Sequence, residues 1–498
     1  MAIRWLSTWV LLLAAAVSLA ACSGDETIEL SDVTPDEQTQ DDENGEENGN
    51  GELGEGSLVL EITSHDNAQV ITGDRTITLA GSVASATEIT NLNVTLNDDQ
   101  ALSADMDDES FSIDLTLSNG ENVVEVTAGN LAEESSELTL TLTYPFVTFE
   151  NGQDASVVIG QPDFESSETN LSADGMHQLQ GNPAIANGVL YIPDPRHARV
   201  LGFNDIPTSN GAAAHFVLGQ DDFESDDQSV TQAGLFSPYA VSIHGNIMAV
   251  VDYGAHRVLI YHELPTATGD EPDVVLGQPN FSSQDWDTTA STLFEPESVH
   301  VTDGKVLVAD RGNSRVLIWN SIPDQNGAPA DLVLGQVDFE SSEFEAGASG
   351  LGEPGDVWSD GERVVVVDAD AHRVLIWETF PTSNGQAADI VLGQEDMDAD
   401  GPVDISASSF EWPQAVASNG NQLIVADNEG DRVLVWNEFP TENNVAADHV
   451  LGTTVFDSLP VGGTSAGTFS LPTGLALYEN QLFVADRGNR RVLIFDGL

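Results

Sequence analysis

Asp396-Met-Asp398-Ala-Asp400-Gly401-Pro-Val-Asp404 sets carboxylates at alternate positions and then a glycine. Oxygen ligands alternating along a short loop, with a glycine to bend it, are what a hard divalent cation such as calcium requires. Asp396, Asp398, Asp400 and Asp404 are therefore candidate calcium ligands, and calcium is the one cofactor the sequence suggests. The loop departs from an EF-hand, because position twelve is Ala407 and the bidentate carboxylate is missing. Other connections are just as acidic, for example Asp221, Asp222, Glu224, Asp226 and Asp227, so a solvated acidic surface is the competing reading.

A second group surrounds a series of prolines. Tyr239 follows Pro238; Glu295 and Glu297 flank Pro296; Glu353 and Asp356 lie about Pro354; Trp412 and Gln414 flank Pro413. Aromatic rings beside carboxylates suit a small polar or cationic ligand, or a peptide segment. Catalytic groupings are harder to find. His256 and His372 share one position, but His197 is shifted by one, and Ser314, Asp431 and Arg490 stand there in the other copies. No nucleophile motif, zinc-type spacing or phosphate loop is present. Histidines scattered over turns are expected to be solvated.

The elements that position these residues come from a repeat. VADRGNSRVLIW (308–319) returns almost unchanged as VADRGNRRVLIF (484–495), with four further copies between and before. Six aspartates each precede an arginine by five residues: Asp194 and Arg199, Asp252 and Arg257, Asp310 and Arg315, Asp368 and Arg373, Asp427 and Arg432, Asp486 and Arg491. The period is 58 or 59 residues. V-L-G-Q keeps the same period, and so does the proline that opens an apolar run. A period this regular is architecture before it is chemistry. Each unit offers four strand-like runs, such as PESVHV, KVLVAD, RVLIWN and DLVLGQ. Six units of four strands predict an all-β fold, a six-bladed β-propeller over 155–498. The first V-I-G-Q precedes any complete unit and the last unit stops after its third strand. The first segment is thus expected to complete the last sheet and close the ring. The Asp–Arg pairs read as scaffold, with Asp holding a tight turn and Arg reaching it. The phenylalanines at 164, 223, 281, 339 and 456, with Met397 in their place once, are expected to pin the long connections.

The phrase P-x-x-V … L-x-V-A-D-x-G-N-x-R-V-L-I resembles the NHL repeat in the form found in secreted bacterial propellers. Some propellers similar to it are enzymes, such as gluconolactonase-type hydrolases and peptide-amidating lyases. Those hold a metal in the channel with converging histidines or carboxylates, which the scattered histidines here do not match.

Residues 57–145 alternate apolar and polar with period two between turn residues, which predicts a β-sandwich. The run VTLN … FSIDLTLSNGENVVEVTA resembles bacterial immunoglobulin-like modules, which implies a spacer or adhesive unit. Residues 22–56 are acidic, without aromatic or basic side chains, and are expected to be a disordered tether. Residues 1–21 read as a signal peptide. Leu19-Ala20-Ala21-Cys22 resembles the lipobox, and Cys22 is the only cysteine of the chain. Lipidation at Cys22 implies an exported protein held at a membrane by its lipid, with Ser23 pointing to the outer one.

The charge balance narrows the partners. There are 83 acidic residues against 14 basic ones, a formal net charge of −69. Such a chain repels phosphate backbones, which excludes nucleic acid. The expected function is a non-catalytic binding or scaffold module on an envelope lipoprotein. Its partner is expected to be a protein, a glycan or another envelope component; the oligomeric state is left open. The alternative is a metal-dependent, lactonase- or lyase-like propeller enzyme with its site in the central channel.

Overall fold

The computed structural model describes residues 58–497 apart from 66, 68, 71–75, 98–101, 108, 118–119, 145–146, 345, 403 and 459–462. The signal peptide, Cys22 and the tether lie outside the described residues. Period-two segments build two sheets over 58–144. One runs Leu58–Ile62, Thr76–Ser85, Ser110–Thr116, Asp105–Asp107; the other runs Gln69–Val70, Ser135–Tyr144, Gly120–Asn130, Ile89–Leu96, Leu102–Ser103. Leu79, Val83, Phe111 and Leu115 of the first meet Val94, Val124, Val126 and Leu142 of the second in one core. This is a sandwich, because alternate residues of each strand face the partner sheet.

Beyond it the described residues form six four-stranded antiparallel sheets, so the fold is all-β and propeller-like. The third is typical: Pro296–Thr302, Lys305–Asp310, Arg315–Trp319 and Leu332–Leu334, each strand beside the next. The first, second, fourth and fifth sheets start at Ala184, Pro238, Pro354 and Pro413 and follow the same order. The sixth takes three strands from Pro472–Asp496 and its outermost from the start of the domain. There Val157, Val158 and Ile159 pair with Ile494, Leu493 and Val492. The expected closure by the first segment is what the structure contains.

The sheets pack in cyclic order. Within a strand the period of two sends alternate side chains to opposite faces. Ala309 and Leu307 pack toward the fourth sheet, whereas Val306 and Val308 pack toward the second. Phe483 and Ala485 of the sixth sheet meet Leu190, Ile192 and Leu201 of the first, while Leu482 and Val484 meet the fifth. Both faces of every middle strand are therefore buried, which is why these runs are apolar throughout. Packing with this domain begins at Val147, earlier than residue 155. Val147 and Phe149 join the core, and the Gln422 amide bonds both the N–H and the C=O of Val147 at 2.8 Å.

The repeated Asp and Arg fix the turns on one face. Each Arg donates Nε to the Asp, at 2.7 Å for Arg315 to Asp310 and 3.1 Å for Arg199 to Asp194, and all twelve side chains are fully buried. Asp252 Oδ1 in turn accepts the N–H groups of Phe236 and Ser237 in the incoming connection. Arg315 Nη1 donates to the Phe339 carbonyl at 2.5 Å and Nη2 to those of Thr289 and Thr292. The Phe223, Phe281, Met397, Phe456 and Phe164 carbonyls receive the equivalent arginines. Each pair thus ties a turn to two connections, and the side chains of the same residues pack against the sheet cores. The V-L-G-Q glutamine adds a further tie: Gln278 donates to His256 O and Asp285 O. Its glycine neighbour, Gly277, sits at φ +81°, and a Cβ there would meet His256 O at 2.8 Å, so only glycine fits.

Candidate functional site

The first strands of the six sheets surround the axis, and a cavity of about 190 Å³ is lined by residues from all six, from Asn182 and Val241 to Val416 and Leu475. One end of it is plugged by two buried carboxylates. Asp356, 1% exposed, accepts Val357 N and Val416 N at 2.8 Å, Asn182 Nδ2 at 2.8 Å, and the Ser298 hydroxyl. It joins the first, third, fourth and fifth sheets. Among the described residues no cationic side chain pairs with it, and burial pushes its carboxyl up to about 6. Glu297, 2% exposed, accepts Gln180 Nε2 at 2.8 Å and Gln414 Nε2 at 3.2 Å on Oε1. Its Oε2 accepts no hydrogen bond among the described residues; the nearest cation is Arg311, at 3.7 Å. Burial raises this carboxyl as well, and Arg311 opposes the shift. Arg311 is pinned by Glu353, which accepts from its Nε and Nη2.

Outside this plug lies a mouth of about 220 Å³. Tyr239 and Tyr253 form one wall as a parallel stack, with centroids 4.1 Å apart and an interplanar angle of 7°. Gln178, Gln180, Arg196 and Arg487 form much of the rest. Gln178 lies between the two arginines: as placed its Oε1 is 3.4 Å from Arg196 Nε, and with the amide turned it accepts Arg487 Nε and Nη2 at 2.9 and 3.0 Å. Among the described residues neither Arg196 nor Arg487 has an ion-pair partner. Burial pushes the Tyr239 hydroxyl up to about 12, so both rings stay neutral at ordinary pH. Two larger cavities, about 400 and 330 Å³, lie within the connections at Gly335–Gly350 and Gly219–Gly234. They occupy the same register of two repeats and are a product of the repeating loop.

The proline-flanking residues are placed unequally. Tyr239, Glu297, Glu353, Asp356 and Gln414 come together at the plug and mouth. The Glu295 carboxylate accepts from the Tyr253 hydroxyl at the mouth, and Glu295 and Trp412 use their backbone N–H groups to bond His256 Nδ1 at 3.1 Å and His372 Nδ1 at 3.2 Å. The same contact links Leu471 N to Asp431 Oδ1 at 2.7 Å. His256 and His372 are thus half-buried struts between neighbouring sheets rather than solvated, and His197 is buried with Nδ1 2.7 Å from Asp194. The αL backbone they share, φ 52° at His256 and 51° at His372, sets that geometry. His300, near the inner cavity, is held to about 4 by burial and contacts Ser359 O at 2.8 Å.

The calcium loop is not assembled. Asp396 Oδ1 accepts Asp398 N at 3.0 Å and Ala399 N at 3.1 Å, a local turn. Asp163, Asp222, Asn280 and Asp338, each three residues after the V-L-G-Q-type glycine, make the same turn. Asp398, Asp400 and Asp404 are exposed. Among the described residues no three His, Cys, Asp or Glu side chains are grouped to hold a metal ion.

Glu297 and Asp356 face inward to protein donors, Glu353 and Glu295 are engaged by Arg311 and the Tyr253 hydroxyl, and the cavity lining itself is largely aromatic, amide and guanidinium. Of the ligands expected from the aromatic and carboxylate residues, a small polar or cationic one or a peptide segment, this lining favours the polar one. The residues missed were Tyr253, Arg311 and Arg487, which share one register directly after the repeated aspartate, together with Gln178, Gln180, Asn182 and Arg196.

Comparison with known proteins adds little at the site. Residues 58–146 match the family model of glucodextranase, domain B. No curated protein matches the chain. Among solved structures, a protein assigned as a 6-phosphogluconolactonase from Bacteroides fragilis is 14% identical, with 75% of this chain and 86% of that chain covered and a TM-score of 0.35. One assigned as an oxidoreductase (glucose dehydrogenase) from Thermus thermophilus is 14% identical, with 64% and 96% covered and a TM-score of 0.36. The computationally designed Ika8 protein is 12% identical, with 76% and 94% covered and a TM-score of 0.33.

Proposed function

We propose that this chain is an exported lipoprotein, anchored through Cys22, whose six-bladed NHL-type propeller is a non-catalytic binding module for an envelope component. The acidic tether of 22–56 and the sandwich then act as spacers that hold the propeller away from the membrane. One observation carries the reading: the mouth combines recognition groups with a plug whose carboxylates already bond the protein itself. Stacked tyrosines give a flat apolar wall, and the glutamine amides and guanidinium groups supply directional donors. Such a lining orients a ligand and offers it no activated nucleophile.

A second reading, a channel enzyme of lactonase or lyase type, is favoured by one feature. Glu297 is buried, has a raised pKa and keeps one oxygen without a hydrogen-bond donor, the state of a general acid. One experiment separates the two. Full-chain protein is titrated with saccharide and peptide fragments of the envelope, and the same samples are analysed for conversion. The binding reading predicts saturable retention of intact ligand, reduced about tenfold or more in the Tyr239→Ala/Tyr253→Ala variant through loss of the stacking wall. Conversion of the ligand that stops in Glu297→Gln, or one tightly held metal ion per chain, would establish the enzyme reading instead.

A further inference from the structure

We propose that the mouth takes a small carboxylate-bearing saccharide of the uronic acid class, with Arg196 and Arg487 on its carboxylate and the Tyr239–Tyr253 stack against its ring. This rests on the reading of the mouth as the ligand site and names its ligand class.

The first ground is where the few cations stand. Of 14 basic residues, six are the buried arginines of the Asp–Arg pairs. Lys305 and Arg363 lie over the rings of Phe380 and Phe439, at 5.0 and 4.0 Å. Arg4 and Arg75 fall outside the described residues. The remaining four, Arg196, Arg311, Arg487 and Arg490, are all on turns of the mouth face. Arg311 is neutralised by Glu353 and Glu297, and Arg490 donates to Ser167 O at 2.6 Å. Arg196 and Arg487 are left, on the wall of one cavity and on either side of Gln178, whose carbonyl meets Arg196 in one amide orientation and Arg487 in the other. In a chain of net charge −69 these two form no ion pair among the described residues, although the charge of Arg487 acts on Glu297. Two guanidinium groups lining one polar cavity can serve an anion, and a planar carboxylate matches their fork geometry.

The other grounds fix what carries the anion. The stacked tyrosines present a flat face, which suits the apolar face of a sugar ring, and the amides of Gln178 and Gln180 suit its hydroxyls. Glu297, bonded to the wall residue Gln180, keeps Oε2 without a hydrogen-bond donor. That oxygen is buried and faces Arg311 Nη1 at 3.7 Å, so this carboxylate fixes the wall residue Gln180 rather than meeting the ligand. The volume, about 220 Å³, holds one ring and not a chain of them. The chain as a whole is anionic, so attraction for a carboxylate has to come from Arg196 and Arg487 themselves at short range.

The test is isothermal titration calorimetry of full-chain protein with D-glucuronate, D-glucose and glucose 6-phosphate. Glucuronate is expected to bind saturably and glucose about tenfold or more weakly, because glucose lacks the charged partner. Arg196→Gln and Arg487→Gln are each expected to weaken glucuronate about tenfold, with unfolding midpoints unchanged because neither side chain supports the core. Glucose binding as tightly as glucuronate, with both lost in Tyr253→Ala, would overturn the carboxylate assignment and leave the mouth as the ligand site. Glucose 6-phosphate binding more tightly than glucuronate would also overturn it. Glucuronate affinity unchanged in both arginine variants would overturn the assignment and the mouth together.

Discussion

Asp356→Ala is expected to lower the unfolding free energy by about 4 kcal/mol, measured by chemical denaturation. The carboxylate accepts four hydrogen bonds and joins four sheets at the axis. Alanine would leave Val357 N, Val416 N and Asn182 Nδ2 buried without acceptors, at about 1–3 kcal/mol each before relaxation. The same residue makes a second, signed prediction. Its carboxyl is raised from 3.8 to about 6 by burial. A group with a raised folded pKa stabilises the fold fully below its unfolded pKa, and that contribution is lost as pH rises through the folded value. Wild type should therefore lose about 3 kcal/mol between about pH 4 and 6 relative to Asp356→Asn, which stays neutral throughout. A difference between the two proteins that does not change with pH would show that the ionised form is fully stabilised by its four donors.

Arg315→Ala should cost as much or more, about 3–5 kcal/mol, because it strands Asp310 as an unpaired buried charge. It also removes the donors to Phe339 O, Thr289 O and Thr292 O, so the connection built on Phe339 loses its attachment. Asp310→Asn with Arg315→Met should be less destabilised than the two single changes summed, since the lone charge is gone. Proteolysis of the 335–353 connection should rise in the single variant before global unfolding. Full additivity in the double variant would mean that the pair is not coupled, contrary to a 2.7 Å contact with both side chains wholly buried.

Much of this was legible because the chain repeats itself. Asp310 and Arg315 recur at one spacing in every unit, and the fully buried pair follows from the need of each turn to satisfy the same groups. The closing of the sixth sheet by Val157–Ile159 was legible from a V-I-G-Q without a preceding unit. The candidate calcium loop shares that same regularity. Asp396 stands in the register of Asp163, Asp222 and Asp338, and its carboxylate caps a turn as theirs do. The histidines misled in a related way, since the αL turn position that looks exposed in sequence hands a side-chain acceptor to the next sheet. Tyr253, Arg311 and Arg487 carried a signal, a variable register inside a fixed phrase. Asn182 and Gln180 carried none, because they lie on the run-in to the first sheet, whose opening strand, at Ala184, begins differently from the others.

Hydrogen exchange of full-chain protein with and without saturating D-glucuronate tests the central claim most directly. New protection should fall on the turns Asp194–Arg199, Asp252–Arg257 and Asp486–Arg491, which carry Arg196, Tyr253 and Arg487. Protection confined to the sandwich, or to the connections at Gly219–Gly234 and Gly335–Gly350, would contradict it.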